Sequence, residues 1–72
     1  MTNTSKLKAI MVERGFTQAD LAKLLNISEQ TLNYKINNKR EFKASEIQAL
    51  IQILQIPSDQ VDAIFFVHDV DF

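Results

Sequence analysis

The sequence predicts an all-α fold, a compact domain of five short helices. Three observations predict it. Apolar residues recur at three- and four-residue spacing in five separate stretches, the period of a helix with one buried face. Thr17, Ser28 and Ser58 stand where such stretches need N-caps. The chain of 72 residues holds only one Gly and one Pro, so little interrupts a helix. That length leaves room for one small core, and a hydrophobic content of 46% is ample to fill it.

The elements follow in order. Leu7, Ile10 and Met11 give a first helix over about 5–13, and Gly15 follows where a helix end wants a left-handed residue. Phe16 is a hydrophobic staple ahead of the next cap. Thr17 caps a second helix over about 17–25, with Asp20 three residues on in a near capping box. Its apolar face is read as Leu21, Ala22, Leu24 and Leu25, and Asn26 ends it. Ser28 caps a third helix over about 28–37, which turns Leu32 and Ile36 inward. The run Asn37-Asn38-Lys39-Arg40 is a polar stop. Phe42 anchors the connection to a fourth helix over about 44–54, carrying Ile47, Leu50, Ile51 and Leu54. Ile56-Pro57 ends it, and Ser58 caps a fifth helix over about 58–66 with Val61, Ile64 and Phe65 inside. The tail 67–72 alternates loosely and suits a short strand, an arm or a frayed end.

The formal net charge of −1 hides a polarised chain. All eight cations lie in residues 1–43 with only four anions, a balance of +4. Residues 44–72 hold five anions and no cation. A basic half can face phosphate; an acidic half should not.

The informative stretch is Thr17 to Arg40, two short capped helices either side of a tight turn. Ala22 is small where the helices must approach. Asn26 sits in the turn, where Asn tolerates positive φ better than most residues. The third helix then projects as a rod of the size that a major groove admits. This segment resembles the helix-turn-helix of the phage repressor and Cro (Xre-type) family. Thr17-Gln18-Ala19-Asp20-Leu21-Ala22 matches that family's T-Q-x-x-L-A, and Phe42, Glu46-Ile47, Leu50 and Leu54-Gln55-Ile56 continue the match. The resemblance spans roughly residues 5–65 and implies a lambda-repressor-like fold. Two positions depart from the family pattern. Asn26 replaces the usual turn Gly, and Ile36-Asn37-Asn38-Lys39 replaces the usual E-N-G-K, which marks Ile36 as core.

Carried over position by position, the resemblance implies that Gln18 bonds a phosphate and braces the third helix. Glu29, Gln30, Asn33 and Tyr34 fall where the family reads bases. Gln suits adenine, and Glu accepts from cytosine N4. Glu29 equally suits the positive end of a helix, and it repels phosphate. Asn38, Lys39, Arg40 and Lys43 resemble the loop that clamps phosphates.

The C-terminal cluster is a separate feature. A five-helix domain can bury Phe65 but not also Phe66, Val67, Val70 and Phe72, so these four are expected at a protein–protein contact. The implied function is a regulator of a phage lysis–lysogeny switch. It would bind double-stranded operator DNA through the third helix, as a homodimer on half-sites about one turn apart. The alternative is an antirepressor, similar to the small modulators of repression in lactococcal phage switches, which binds a repressor's DNA-binding domain. An enzyme is not expected: one His, no Cys and scattered carboxylates form no nucleophile–base pair and no metal site. No cofactor, small-molecule substrate or membrane partner is expected. The apolar runs are too short to span a bilayer, and a bacterial cytoplasm fits the absence of Cys.

Overall fold

A computed structural model describes residues 1–68, and the expected contacts of Val70 and Phe72 lie outside them. The described residues form five α-helices and no strand: α1 (Thr4–Arg14), α2 (Gln18–Leu25), α3 (Glu29–Ile36), α4 (Ala44–Ile53) and α5 (Val61–Phe65). None is long and apolar enough to cross a membrane.

Local chemistry sets most boundaries. The Asn3 side-chain oxygen accepts the Lys6 N–H at 3.0 Å, so α1 begins a residue earlier than Ser5. It ends at Gly15, which is left-handed at φ 80°. Phe16 N–H returns to the Met11 carbonyl at 2.9 Å, satisfying an orphan acceptor. A Cβ at Gly15 would meet nothing within 4 Å, so the cost of a side chain there is backbone strain alone. Gly15→Ala should therefore lower stability by about 1–2 kcal/mol, read by urea denaturation; an unchanged midpoint would show that α1 ends otherwise. Thr17 and Asp20 form the expected box: Asp20 N–H donates to Thr17 Oγ1 at 3.1 Å and Thr17 N–H to Asp20 Oδ2 at 2.9 Å. These bonds from the Thr17 backbone and hydroxyl hold the Asp20 carboxyl below its ordinary pKa. Asn26 takes φ 58°, as the turn requires, and Ser28 Oγ caps α3 by accepting the Thr31 N–H at 3.0 Å.

The core is built from Leu7, Met11, Leu21, Leu32, Ile36, Leu50, Leu54, Ile56, Ile64 and Phe65. Ile36 is completely buried, as its departure from the family pattern implied. Phe42 meets Phe65 edge to face, centroids 5.9 Å apart. Leu24 is a correction: it is 58% exposed rather than part of the apolar face. Leu21, Ala22 and Leu25 define that face, and at 3.6 residues per turn Leu24 points about 100° from its centre.

The C-terminal third also departs from expectation. The stretch read as one helix over 58–66 opens with a 3-10 turn, Ser58–Gln60, closed by Gln60 N–H to the Pro57 carbonyl at 2.9 Å. Only Val61–Phe65 is α-helical. Arg14 reaches across from α1 to the end of α4, where its Nε donates to the Leu54 carbonyl at 2.9 Å. A cation there also suits the negative end of the helix. Val67 follows α5 and pairs with the N-terminus. The Met1 ammonium donates to the Val67 carbonyl, and the Val67 N–H to the Met1 carbonyl, both at 3.0 Å.

Candidate nucleic-acid interface

Two capped eight-residue helices, α2 and α3, pack on each other across the turn at Asn26. Leu21, Ala22, Leu32 and Ile36 fill the angle between and beneath them. With Leu32 and Ile36 inward, helical spacing sends Glu29 and Gln30 outward, and both are exposed. Asn33 and Tyr34 are half-buried one turn on. Gln18, at the first turn of α2, accepts from Asn33 Nδ2 at 3.4 Å. It thus braces α3 through a residue from the expected reading set.

The loop after α3 folds back on that helix. The Tyr34 carbonyl accepts the backbone N–H of Lys39 at 2.8 Å and of Arg40 at 3.3 Å. Lys39 Nζ and Arg40 Cζ each lie 5.7 Å from the centre of the Tyr34 ring. Gln30 Nε2 donates to the Tyr34 hydroxyl at 2.9 Å. Residues expected at bases and residues expected at phosphates therefore form one exposed cluster around Tyr34. Lys43, exposed ahead of α4, continues the basic loop.

Asn38 has a different occupation. It takes φ 64°, and its carboxamide is engaged by Thr2 at both ends: Thr2 N–H donates to Oδ1 and Nδ2 donates to the Thr2 carbonyl, each at 2.8 Å. Thr4 Oγ1 adds a bond to the Ile36 carbonyl at 2.6 Å. The end of α3 is thus stitched to the N-terminal segment, and the Asn38 side chain is committed to the fold.

The main feature that sequence reasoning missed lies directly under α3. Lys35 is buried and donates to both Glu46 oxygens, at 2.6 and 2.7 Å. Glu46 also accepts the Lys43 N–H at 2.8 Å, which starts α4. Burial pushes the Glu46 carboxyl up, but the bonds from Lys35 and the Lys43 backbone, with the two lysine charges, outweigh it and hold the pKa below its ordinary value. The signal in the sequence was Lys35 at i+3 from Leu32 and beside Ile36, on the inward edge. One of the eight cations is therefore spent inside the fold, and a second, Arg14, covers α4.

At the opposite terminus Phe66 is 50% exposed and Val67 half-buried. Phe66 lines a shallow groove of about 320 Å³ with Met1, Phe42, Ile47 and Phe65, and Arg40 lines it too. Among the described residues no three His, Cys, Asp or Glu side chains are placed to hold a metal ion.

Fold and site together define a small all-helical domain of helix-turn-helix type, with a polar outer face on its third helix and a basic loop after it. Residues 2–68 match the family described as Protein of unknown function (DUF739), and the chain belongs to that family. No curated protein matches it.

Proposed function

We propose that the protein is a DNA-binding transcriptional regulator of the phage repressor and Cro type, acting in the bacterial cytoplasm. α3 enters the major groove of an operator, and the Lys39–Arg40 loop rests on the flanking phosphates. One observation carries this reading. On the outer face of α3, Gln30 is bonded to the Tyr34 hydroxyl, and the Tyr34 ring meets the two cations of the following loop. A base-reading edge and a phosphate-binding edge are what groove recognition requires side by side. Gln18 braces this edge from α2 through Asn33, and Glu29, at its start, accepts from a cytosine amine. No catalytic role is proposed.

A domain of this size buries too little interface as one copy for tight binding, so two copies on a two-fold operator are expected. Phe66, beside Met1 and Val67, is the surface offered for that pairing. The same surface supports the second reading, an antirepressor docked on a repressor's DNA-binding domain. The exposed Glu29 carboxylate favours this reading, because it opposes phosphate and suits a basic protein face.

A mobility-shift titration on the intergenic DNA next to the coding sequence, with and without the repressor encoded there, separates the two. Salt-sensitive retardation by the protein alone is the expected result. No retardation alone, with loss of the repressor's own shift, would replace the first reading by the second. Phe66→Ser should lower the affinity for a two-site operator and leave the sedimentation coefficient of a monomer; an unchanged dimer would place the pairing surface elsewhere.

A further inference from the structure

Tyr34 stands at the centre of the cluster on α3, and its hydroxyl has a role of its own. Tyr34 is joined to the reading position through its hydroxyl and to the phosphate loop through its ring and its carbonyl. We propose that Tyr34 is a positioning residue for specificity: its hydroxyl, bonded to Gln30 while the Lys39 and Arg40 cations lie over its ring, orients the Gln30 carboxamide so that it selects adenine over guanine. This rests on the DNA-binding reading of α3.

The argument is one of donors and acceptors. A Gln carboxamide offers an oxygen that accepts and a nitrogen with two N–H donors. Adenine presents N6–H as donor and N7 as acceptor in the major groove, whereas guanine presents two acceptors, O6 and N7. A Gln edge showing one acceptor and one donor fits adenine; an edge showing only the two donors fits guanine. The carboxamide orientation therefore sets the base, and Gln30 by itself is free to take either.

Tyr34 removes that freedom. A phenol carries one O–H to donate and lone pairs that accept. The two cations above its ring lie where a phosphate is drawn, and a phosphate oxygen is acceptor only. With the phenol O–H donated to phosphate, the phenol oxygen is left to accept, which is the role it has towards Gln30 Nε2 at 2.9 Å. One Gln30 N–H is then spent, and Oε1 with the remaining N–H faces outward as the acceptor–donor pair that adenine needs. Each bond in this chain polarises the next. Phosphate contact, which by itself carries no sequence information, thereby becomes a condition of base choice.

The test is selection from a randomised duplex library by the wild-type protein, Tyr34→Phe and Gln30→Ala, followed by binding titrations on the enriched duplex and its adenine-to-guanine variant. Tyr34→Phe keeps the ring, both cation contacts and the backbone bonds, and removes only the hydroxyl. The wild type should prefer adenine over guanine at one position by about tenfold or more. Tyr34→Phe should bring that ratio close to parity, and so should Gln30→Ala. The dependence of affinity on salt should be unchanged in Tyr34→Phe, because no cation is lost; a flattened dependence would mean that the loop itself had collapsed and would overturn the positioning role. A full adenine preference in Tyr34→Phe, or none in the wild type, would also overturn it while leaving DNA binding intact. Failure of the wild type to enrich any duplex would instead overturn the reading of α3 on which it rests.

Discussion

Glu46→Ala is expected to lower the stability of the domain by about 3–5 kcal/mol, because it leaves the Lys35 ammonium buried without its partner. A chain of this length is stable by roughly 4–11 kcal/mol, so the variant should sit near the edge of unfolding at room temperature. Urea denaturation followed by circular dichroism measures the loss. Replacing both members, Lys35→Met with Glu46→Leu, should recover most of it, since an apolar pair of similar volume avoids desolvating two charges. A single variant as stable as the wild type would mean that water reaches the pair and screens it.

Acid should act through the same contact. The Glu46 carboxyl is held below its ordinary value of 4.5 in the folded protein. Its contribution is therefore complete above that value, and it is lost as pH falls below 4.5 through the lower folded pKa. Asp20, lowered by its Thr17 bonds, acts in the same direction from the surface. The double variant should lose less stability than the wild type on titration from neutral pH into this acid range. Parallel profiles for the two proteins would assign the acid sensitivity to other carboxylates.

Replacing Lys39 and Arg40 together by Ala is expected to leave the fold standing and to weaken operator binding by on the order of tenfold for each charge. Both side chains are exposed, and their partner within the chain is the Tyr34 ring, so the stability change should stay within about 1 kcal/mol. The slope of log affinity against log salt should fall by about 0.9 per lost phosphate contact, hence by close to two. The loss should be nearly uniform across base sequences, in contrast to that of Tyr34→Phe. An unchanged slope would remove the loop from the phosphate contacts and leave α3 without an electrostatic anchor.

The helix boundaries were largely legible because their causes are local. The Thr17–Asp20 box spans three residues, the Ser28 cap spans three, and the left-handed turns at Gly15 and Asn26 follow from the residues themselves. The exposed positions of Glu29 and Gln30 follow from helical period once Leu32 and Ile36 are assigned inward. Leu24 was misread because five apolar residues in an eight-residue helix leave its buried stripe ambiguous, and only the packing partners select Leu21, Ala22 and Leu25.

The less legible features join distant positions. Asn38 looked like a phosphate ligand because it stands in a basic loop. Its partner, Thr2, lies 36 residues away, in an N-terminal segment that no local pattern marks. The role of Lys35 was not legible because its carboxylate sits 11 residues on, beyond the loop. The convergence of Gln30, Lys39 and Arg40 on Tyr34 depends on the loop doubling back to the Tyr34 carbonyl. By itself, then, the sequence determined five helices, the caps of α2 and α3 and the outward face of α3, because hydrogen bonding and periodicity within a few residues decide these, whereas Ser58, expected to cap the fifth helix, opens a 3-10 turn without a cap bond. The tertiary structure alone decided which cations stay free for a ligand and which are spent inside the fold. A charge has no fixed role until chain closure sets its distance from an opposite charge and from water.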